Sequence, residues 1–295
     1  MVVQELAYSG DLDVVRELQE LKALLKKKNI VIGIVESLDG ITHVIKVVCD
    51  DEGDNEKNYT RINLYISNIL YNIVIQEYKE KEMFQFLTDT YFFLKQEEIL
   101  EVEEKIMNVL LLGGMPKDNI FIYCSNKVNT IIEKIKGCIE ENKKININGF
   151  ITFRMRELRE DIEQVIDKVV EKYMVEKEYK EFIGLLKYFV DIQESKIEEV
   201  NLIVQPLGGY IINDGYGEDI FSLFLKDLTE CKLGVDANIE DILISGLITN
   251  APNHIIIHNK QECANKEFID TILSVFGSRV TICDGCELCT SIIIK

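Results

Sequence analysis

Apolar residues in this chain recur mainly at intervals of three and four, the pattern of amphipathic helices. A helical region is predicted from Tyr59 to about Leu112, and a shorter helix near the start carries the stripe Val14, Leu18, Leu21 and Leu25. Between them, IVIGIVES and ITHVIKVVC flank the turn sequence LDG, which predicts a β-hairpin because Asp and Gly accept positive φ angles. A polar loop is expected at 50–58, a break at 112–119 and a short strand at IFIYC, residues 120–124.

The middle of the chain carries two apolar stripes that are out of phase. The polar, glycine-containing segment NKKININGF, 142–150, suggests a domain boundary, which we place between residues 145 and 146. The stripes fall out of register across VEKE, residues 175–178, so we expect a turn there and a helical hairpin over 153–194. They consist of Leu158, Ile162, Val165, Val169 and Tyr173, then Tyr179, Phe182, Leu186 and Phe189.

The last third of the chain alternates strands with helices. VNLIVQPLGGYIIN predicts two strands, and HIIIH, NKEFIDTILSVFG and RVTIC predict a strand, a helix and a second, parallel strand. We therefore predict an α+β protein, mostly helical, with an N-terminal β-hairpin region (1–145) and a C-terminal region (146–295). The second region would hold the helical hairpin and a small mixed sheet with a βαβ unit. TSIIIK, residues 290–295, resembles a final strand.

Composition limits the class of protein. The chain has 295 residues, is 47% hydrophobic and carries a formal net charge of −18, which disfavours binding to nucleic acid. No apolar run reaches the length of a membrane span, and acidic residues stand where a secretory signal would be basic. We expect a cytoplasmic protein, in which the eight cysteines stay reduced or bind metal.

A candidate metal site lies in CDGCELC near the end of the sequence. Cys283, Cys286 and Cys289 follow a strand at two-residue gaps, which suits Zn²⁺, with an iron–sulfur cluster as the less favoured alternative. A fourth ligand must come from elsewhere. If the last two strands are parallel neighbours, their carboxyl ends meet at one edge, so His258 or Cys263 is expected there. His254 lies about 13 Å away along its strand and is excluded.

Two sites have simpler explanations that stay open. Asp284 and Gly285 could form a two-residue hairpin turn, with the cysteines as ordinary buried thiols. NDGYGED, 213–219, has the position of a phosphate-binding loop but lacks the third glycine, and Glu218 and Asp219 would repel phosphate, so a turn with a helix cap is favoured. No hydrolase, P-loop or zinc-protease motif occurs, and His43 is interpreted as structural. No catalytic residue is assigned, which favours a non-enzymatic protein.

The segment from Ile147 to Leu202 resembles the YtxC-like family of sporulation proteins of spore-forming Firmicutes. NGFITFR, EKEYKEFI and LLKYFVDIQE carry the likeness, and RVTICDGCELC is similar to the family's ending. Where the family commonly has proline after DIQE, this chain has Ser195. The resemblance implies no known activity. It implies a sporulation factor that acts through contacts with an unidentified protein partner, with a metal-binding protein or an enzyme without a recognisable motif as alternatives.

Overall fold

The computed structural model describes residues 2–10, 12–49, 55–111, 119–206, 208–230 and 238–291. These residues are mostly helical and include two four-stranded sheets, which confirms the predicted α+β class. The chain forms two compact units, Met1–Met174 and Val175–Lys295. A domain boundary between residues 145 and 146 stays a prediction.

The sheet of the first unit contains the predicted hairpin and two strands that were not predicted, the first and the last of the four in chain order. Its strands are β1 (Val2–Ser9), β2 (Ile32–Asp39), β3 (Thr42–Cys49) and β4 (Lys144–Asn146), in the order β2-β3-β1-β4. Gly40 makes the hairpin turn with φ of +63°. β1 pairs antiparallel with β3 and parallel with β4. The N-terminal segment thus occupies an interior position of this sheet.

Helices supply the remainder of the first unit's core. They are α1 (Val14–Lys26), α2 (Asn55–Tyr78), α3 (Phe84–Thr90), α4 (Gln96–Leu110) and α5 (Asn119–Glu141), with a π-helical segment at Lys79–Met83. The strand predicted at IFIYC is wrong, because residues 120–124 belong to α5. Cys124 begins a buried stripe with Val128, Ile131 and Ile135, and this spacing continues the helical period through the short apolar run.

The predicted helical hairpin is also wrong. Residues Ile147–Ile192 form one helix, α6. The first stripe, Leu158 to Tyr173, is buried in the core of the first unit, whereas Ile183, Leu186 and Val190 pack into the core of the second. Of the second stripe only Leu186 joins that core, whereas Tyr179, Phe182 and Phe189 are about half exposed, so the change of phase marks a change of buried face and not a turn. VEKE contains no Gly or Pro that would end a helix.

The sheet of the second unit has the order β6-β5-β7-β8. Its strands are β5 (Glu199–Val204), β6 (Tyr210–Asp214), β7 (His254–His258) and β8 (Val280–Ile282), and its helices are α7 (Phe221–Glu230), α8 (Ile239–Asn250), α9 (Lys266–Phe276) and α10 (Glu287–Ser291). β7 pairs parallel with β5 and with β8, and α9 connects β7 to β8. The predicted βαβ unit is confirmed.

The glycine-containing loop after β6 is a turn followed by a helix cap, as favoured. The Asp214 carboxylate accepts hydrogen bonds from the backbone N–H groups of Tyr216 and Glu218, and Asp219 accepts one from Phe221. Amides that could cradle a phosphate therefore already bind carboxylates of the chain itself.

Other expectations fall on residues that are not described. Most of the polar loop at 50–58, nearly all of the break at 112–119 and residues 292–295 of TSIIIK lie outside the described ranges. Among the helices of those ranges, none combines the length and apolarity needed to cross a membrane.

Candidate metal centre

The parallel pairing of β7 and β8 brings four potential ligands to one edge of the second sheet. Ile257 pairs with Ile282, and the Cys283 N–H continues the ladder by donating to the Ile257 carbonyl at 2.9 Å. His258 ends β7 and Cys283 follows β8, so the two residues leave adjacent strands side by side. The chain then turns back, and α10 carries Cys289 to the same place.

The ligand atoms of this group lie very close together. The imidazole Nδ1 of His258 is 3.4 Å from the Cys286 sulfur and 3.5 Å from the Cys289 sulfur. The Cys289 sulfur is 3.7 Å from that of Cys286 and 3.8 Å from that of Cys283. All four ligand atoms lie within 4.8 Å of one another, so the group could hold a metal ion.

These separations fit tetrahedral zinc. With Zn–S bonds of about 2.3 Å and Zn–N bonds of about 2.05 Å, ideal tetrahedral angles place two sulfurs about 3.8 Å apart and sulfur and nitrogen about 3.5 Å apart. The four separations above match these values to within about 0.1 Å. An iron–sulfur cluster would place several iron and sulfide ions among the ligands and require a wider arrangement. The donor set therefore suits a single ion.

A buried hydrogen bond fixes the orientation of His258. Its Nε2 lies 3.0 Å from the side-chain oxygen of Asn201 on β5, and both residues are buried. The Asn201 amide nitrogen faces Glu199 and the Asp214 carbonyl, so its oxygen accepts from Nε2–H. The lone pair of Nδ1 is then directed at the three sulfurs. Burial also lowers the pKa of His258, which favours the neutral, ligating imidazole.

Backbone groups of the cysteine turn support the sulfurs. Gly285 has φ of +132° and donates its N–H to the Cys283 sulfur at 3.4 Å. The backbone N–H of Cys289 lowers the pKa of the Cys286 thiol, an effect that favours the thiolate form that binds metal. Asn259, which follows β7 with φ of +53°, donates to the Cys289 carbonyl at 3.5 Å. These contacts hold the turn in a conformation that places the three sulfur atoms close to the His258 imidazole.

The structure distinguishes between the candidate fourth ligands by position. His258 belongs to the group. Cys263 lies outside it, with its sulfur 3.2 Å from the Asn265 carbonyl and 3.5 Å from the Tyr210 hydroxyl. His254 is at the far end of β7, beside Glu199 and Thr281. The two-residue hairpin at Asp284 and Gly285 is wrong, because the chain enters α10 where a second strand would be needed.

The remaining histidine has a structural environment. His43 contacts the Glu36 carboxylate at 2.9 Å and stacks on Tyr8. Sequence reasoning did not identify Asn201 as a partner of the site. The sequence did contain a signal for it: Asn201 is a polar residue within the apolar strand VNLIV, and a polar side chain buried there needs a hydrogen-bonding partner.

Comparison with known proteins adds a family and no activity. The sequence model of the YtxC-like family matches residues 64–281, which include His258 and Asn201 and end before the three cysteines. The chain is 24% identical over 229 residues to a Bacillus subtilis (strain 168) protein named only as uncharacterised protein YtxC; the match covers 74% of this chain and 76% of that protein. No solved structure matches.

Proposed function

The chain belongs to the YtxC-like family, and from that premise we propose that it is a zinc-binding protein whose ion has a structural role. His258, Cys283, Cys286 and Cys289 would be the ligands. The observation that carries the proposal is that four of the six separations between their nitrogen and sulfur atoms match those of a tetrahedral zinc site, and that all six are within 4.8 Å. Bound zinc would hold the segment 283–289 against the end of β7.

The ligand set favours a structural over a catalytic ion. Catalytic zinc sites usually have three protein ligands and keep a fourth position for water or substrate, whereas four protein ligands close the site. We therefore infer that the protein acts through contacts with other proteins. The sporulation role implied by the family resemblance remains a prediction, which spore counts from a strain lacking this chain would test.

Metal content tests the proposal directly. Protein purified anaerobically without a metal-affinity tag is expected to contain about one zinc per chain by elemental analysis, as four protein ligands per ion require. The variant with Cys283, Cys286 and Cys289 changed to Ser, and separately His258→Gln, should lose it. Circular dichroism of each variant verifies that it is folded.

Cys263→Ser serves as the matched control, because Cys263 is a buried thiol of the same unit outside the ligand group. It should retain the ion. A wild-type protein without zinc contradicts the proposed ligand set. So does zinc that is retained by folded His258→Gln but lost by Cys263→Ser. A brown protein that contains iron and sulfide would show that the cysteines bind an iron–sulfur cluster instead of zinc.

Asn201 is expected to increase the affinity of the site for Zn²⁺. Asn201→Ala removes the acceptor for His258 Nε2–H and frees the imidazole to rotate, so the affinity for Zn²⁺ should fall by about ten- to a hundredfold. Competition with a chromogenic chelator measures the change. Equal affinities for Asn201→Ala and wild type would show that the hydrogen bond does not support the ligand.

A further inference from the structure

The second half of α6 exposes a regular apolar stripe. Five side chains keep roughly half or more of their surface in solvent, and they are spaced by seven, three, four and three residues. From Phe182 to Ile192 this is the a/d pattern of a helix that packs against another helix, whereas the d position between Val175 and Phe182 is Glu178. We call them the exposed stripe: Val175 (62% exposed), Phe182 (55%), Leu185 (58%), Phe189 (49%) and Ile192 (59%).

Apart from Phe182, which also borders a groove between α6 and α8, the exposed stripe lies off the face by which α6 joins its own unit. Ile183, Leu186 and Val190 pack into the second core. On the same side, the Tyr179 hydroxyl lies 3.1 Å from the hydroxyl of Thr271 on α9. Because these contacts fix the rotation of the helix, the stripe is held outward. The second half of α6 therefore has apolar residues on two faces, and its own unit buries only one of them.

We propose that the exposed stripe binds the same stripe of a second copy of this chain, with the two α6 helices antiparallel. Each stripe residue exposes on the order of 100 Å², as does the adjacent Tyr188, which is 61% exposed. Phe182, Leu185, Tyr188, Phe189 and Ile192 together bury about 500 Å² per chain and about 1,000 Å² in total, which reaches the lower size limit of a specific interface. A patch of this size is at the upper end of the largest apolar patches on monomeric proteins, which are often functional.

The arrangement of large and small side chains favours a second copy as the partner. When two α6 helices pack antiparallel about Lys187, Phe182 lies opposite Ile192 and Leu185 opposite Phe189, so each layer pairs an aromatic with an aliphatic side chain. Positions 182, 185, 189 and 192 carry no charge. Two chains with a net charge of −18 each can therefore approach here with less repulsion than along an acidic surface.

Mass measurement by sedimentation tests the proposal. Wild type should sediment as a dimer, at twice the chain mass of 34.0 kDa. Phe182→Glu and Ile192→Lys should each be monomeric, because each buries a charge in an apolar layer. Mixing the two should restore a heterodimer, since residue 182 of one chain faces residue 192 of the other and the new charges pair.

Phe153→Glu is the control, because Phe153 is also an exposed phenylalanine of α6, 78% in solvent, outside the stripe. It should remain dimeric. A monomeric wild type, including one in which another part of the chain covers the stripe, overturns the proposal. A Phe182→Glu variant that remains dimeric also overturns it. The same holds if the mixture of Phe182→Glu and Ile192→Lys stays monomeric. Zinc content should stay unchanged in all these variants, so this test is separate from that of the metal site.

Discussion

Chelating zinc from the purified protein is expected to lower the free energy of unfolding of the second unit by about 4 kcal/mol, the contribution of a ligand present at about a thousandfold above its dissociation constant. The ion would bind the folded chain, in which β7 and the cysteine turn bring four ligands within 4.8 Å, and would bind the unfolded chain weakly. Thermal unfolding with and without chelator measures the loss, and added Zn²⁺ should reverse it.

Hydrogen exchange would locate the effect. Protection should fall first in β8 and α10, because the proposed ion would hold the turn between them to the end of β7. The variant with serine at positions 283, 286 and 289 should be insensitive to chelator, whereas Cys263→Ser should respond as wild type does. A zinc-loaded wild type whose unfolding is unchanged by chelation would mean that the ion contributes nothing to this fold.

Gly246→Ala is expected to destabilise the second unit by about 3 kcal/mol, near the upper end of the usual cost of overpacking. A Cβ at Gly246 would lie 2.1 Å from Phe224 Cδ2 and 2.7 Å from Phe224 Cβ. Gly246 is on α8 and Phe224, fully buried, is on α7, so the methyl group would force these helices apart. This cost exceeds the helix propensity gain of alanine, about 1 kcal/mol. Denaturant unfolding measures the difference.

Gly184→Ala, in the same unit, is expected to change stability in the opposite direction. Gly184 lies inside α6 with nothing within 4 Å of a Cβ at that position, so alanine should stabilise the helix by about 1 kcal/mol. Equal effects of the two alanine substitutions would show that α7 does not pack this closely on α8.

The grouping of His258 with the three cysteines could be predicted largely because it depends on strand order. HIIIH and RVTIC were identified as strands joined by a helix, and parallel neighbours place His258 and Cys283 at one edge. The choice between His258 and Cys263 could not be made from spacing. It depends on the path of residues 259–265, where Asn259 adopts a positive φ and a 3-10 segment at Lys260–Glu262 carries Cys263 away.

Elements that escaped prediction have local physical causes. β1 lacks clean alternation because its register shifts between Val2 and Gln4, which puts Val3 and Gln4 both among the buried residues. The five apolar residues of IFIYC fit a strand or a helix, and only the buried partners further along α5 decide between them. In α6, a change of buried face resembled a turn, because the sequence does not reveal that each half of the helix packs into a different core.

The parallel pairing of β1 with β4 has a consequence for the order of folding. The Gln4 side chain donates to the Asn142 carbonyl across a sequence separation of 138 residues, and Ser9 and Asn148 exchange two further bonds. Contacts this distant form slowly, so the β2–β3 hairpin should form well before β4 joins. Until then one edge of β1 has unpaired backbone groups. A nascent or truncated chain lacking residues 144–146 would present that edge to other chains, the condition under which strands pair between molecules.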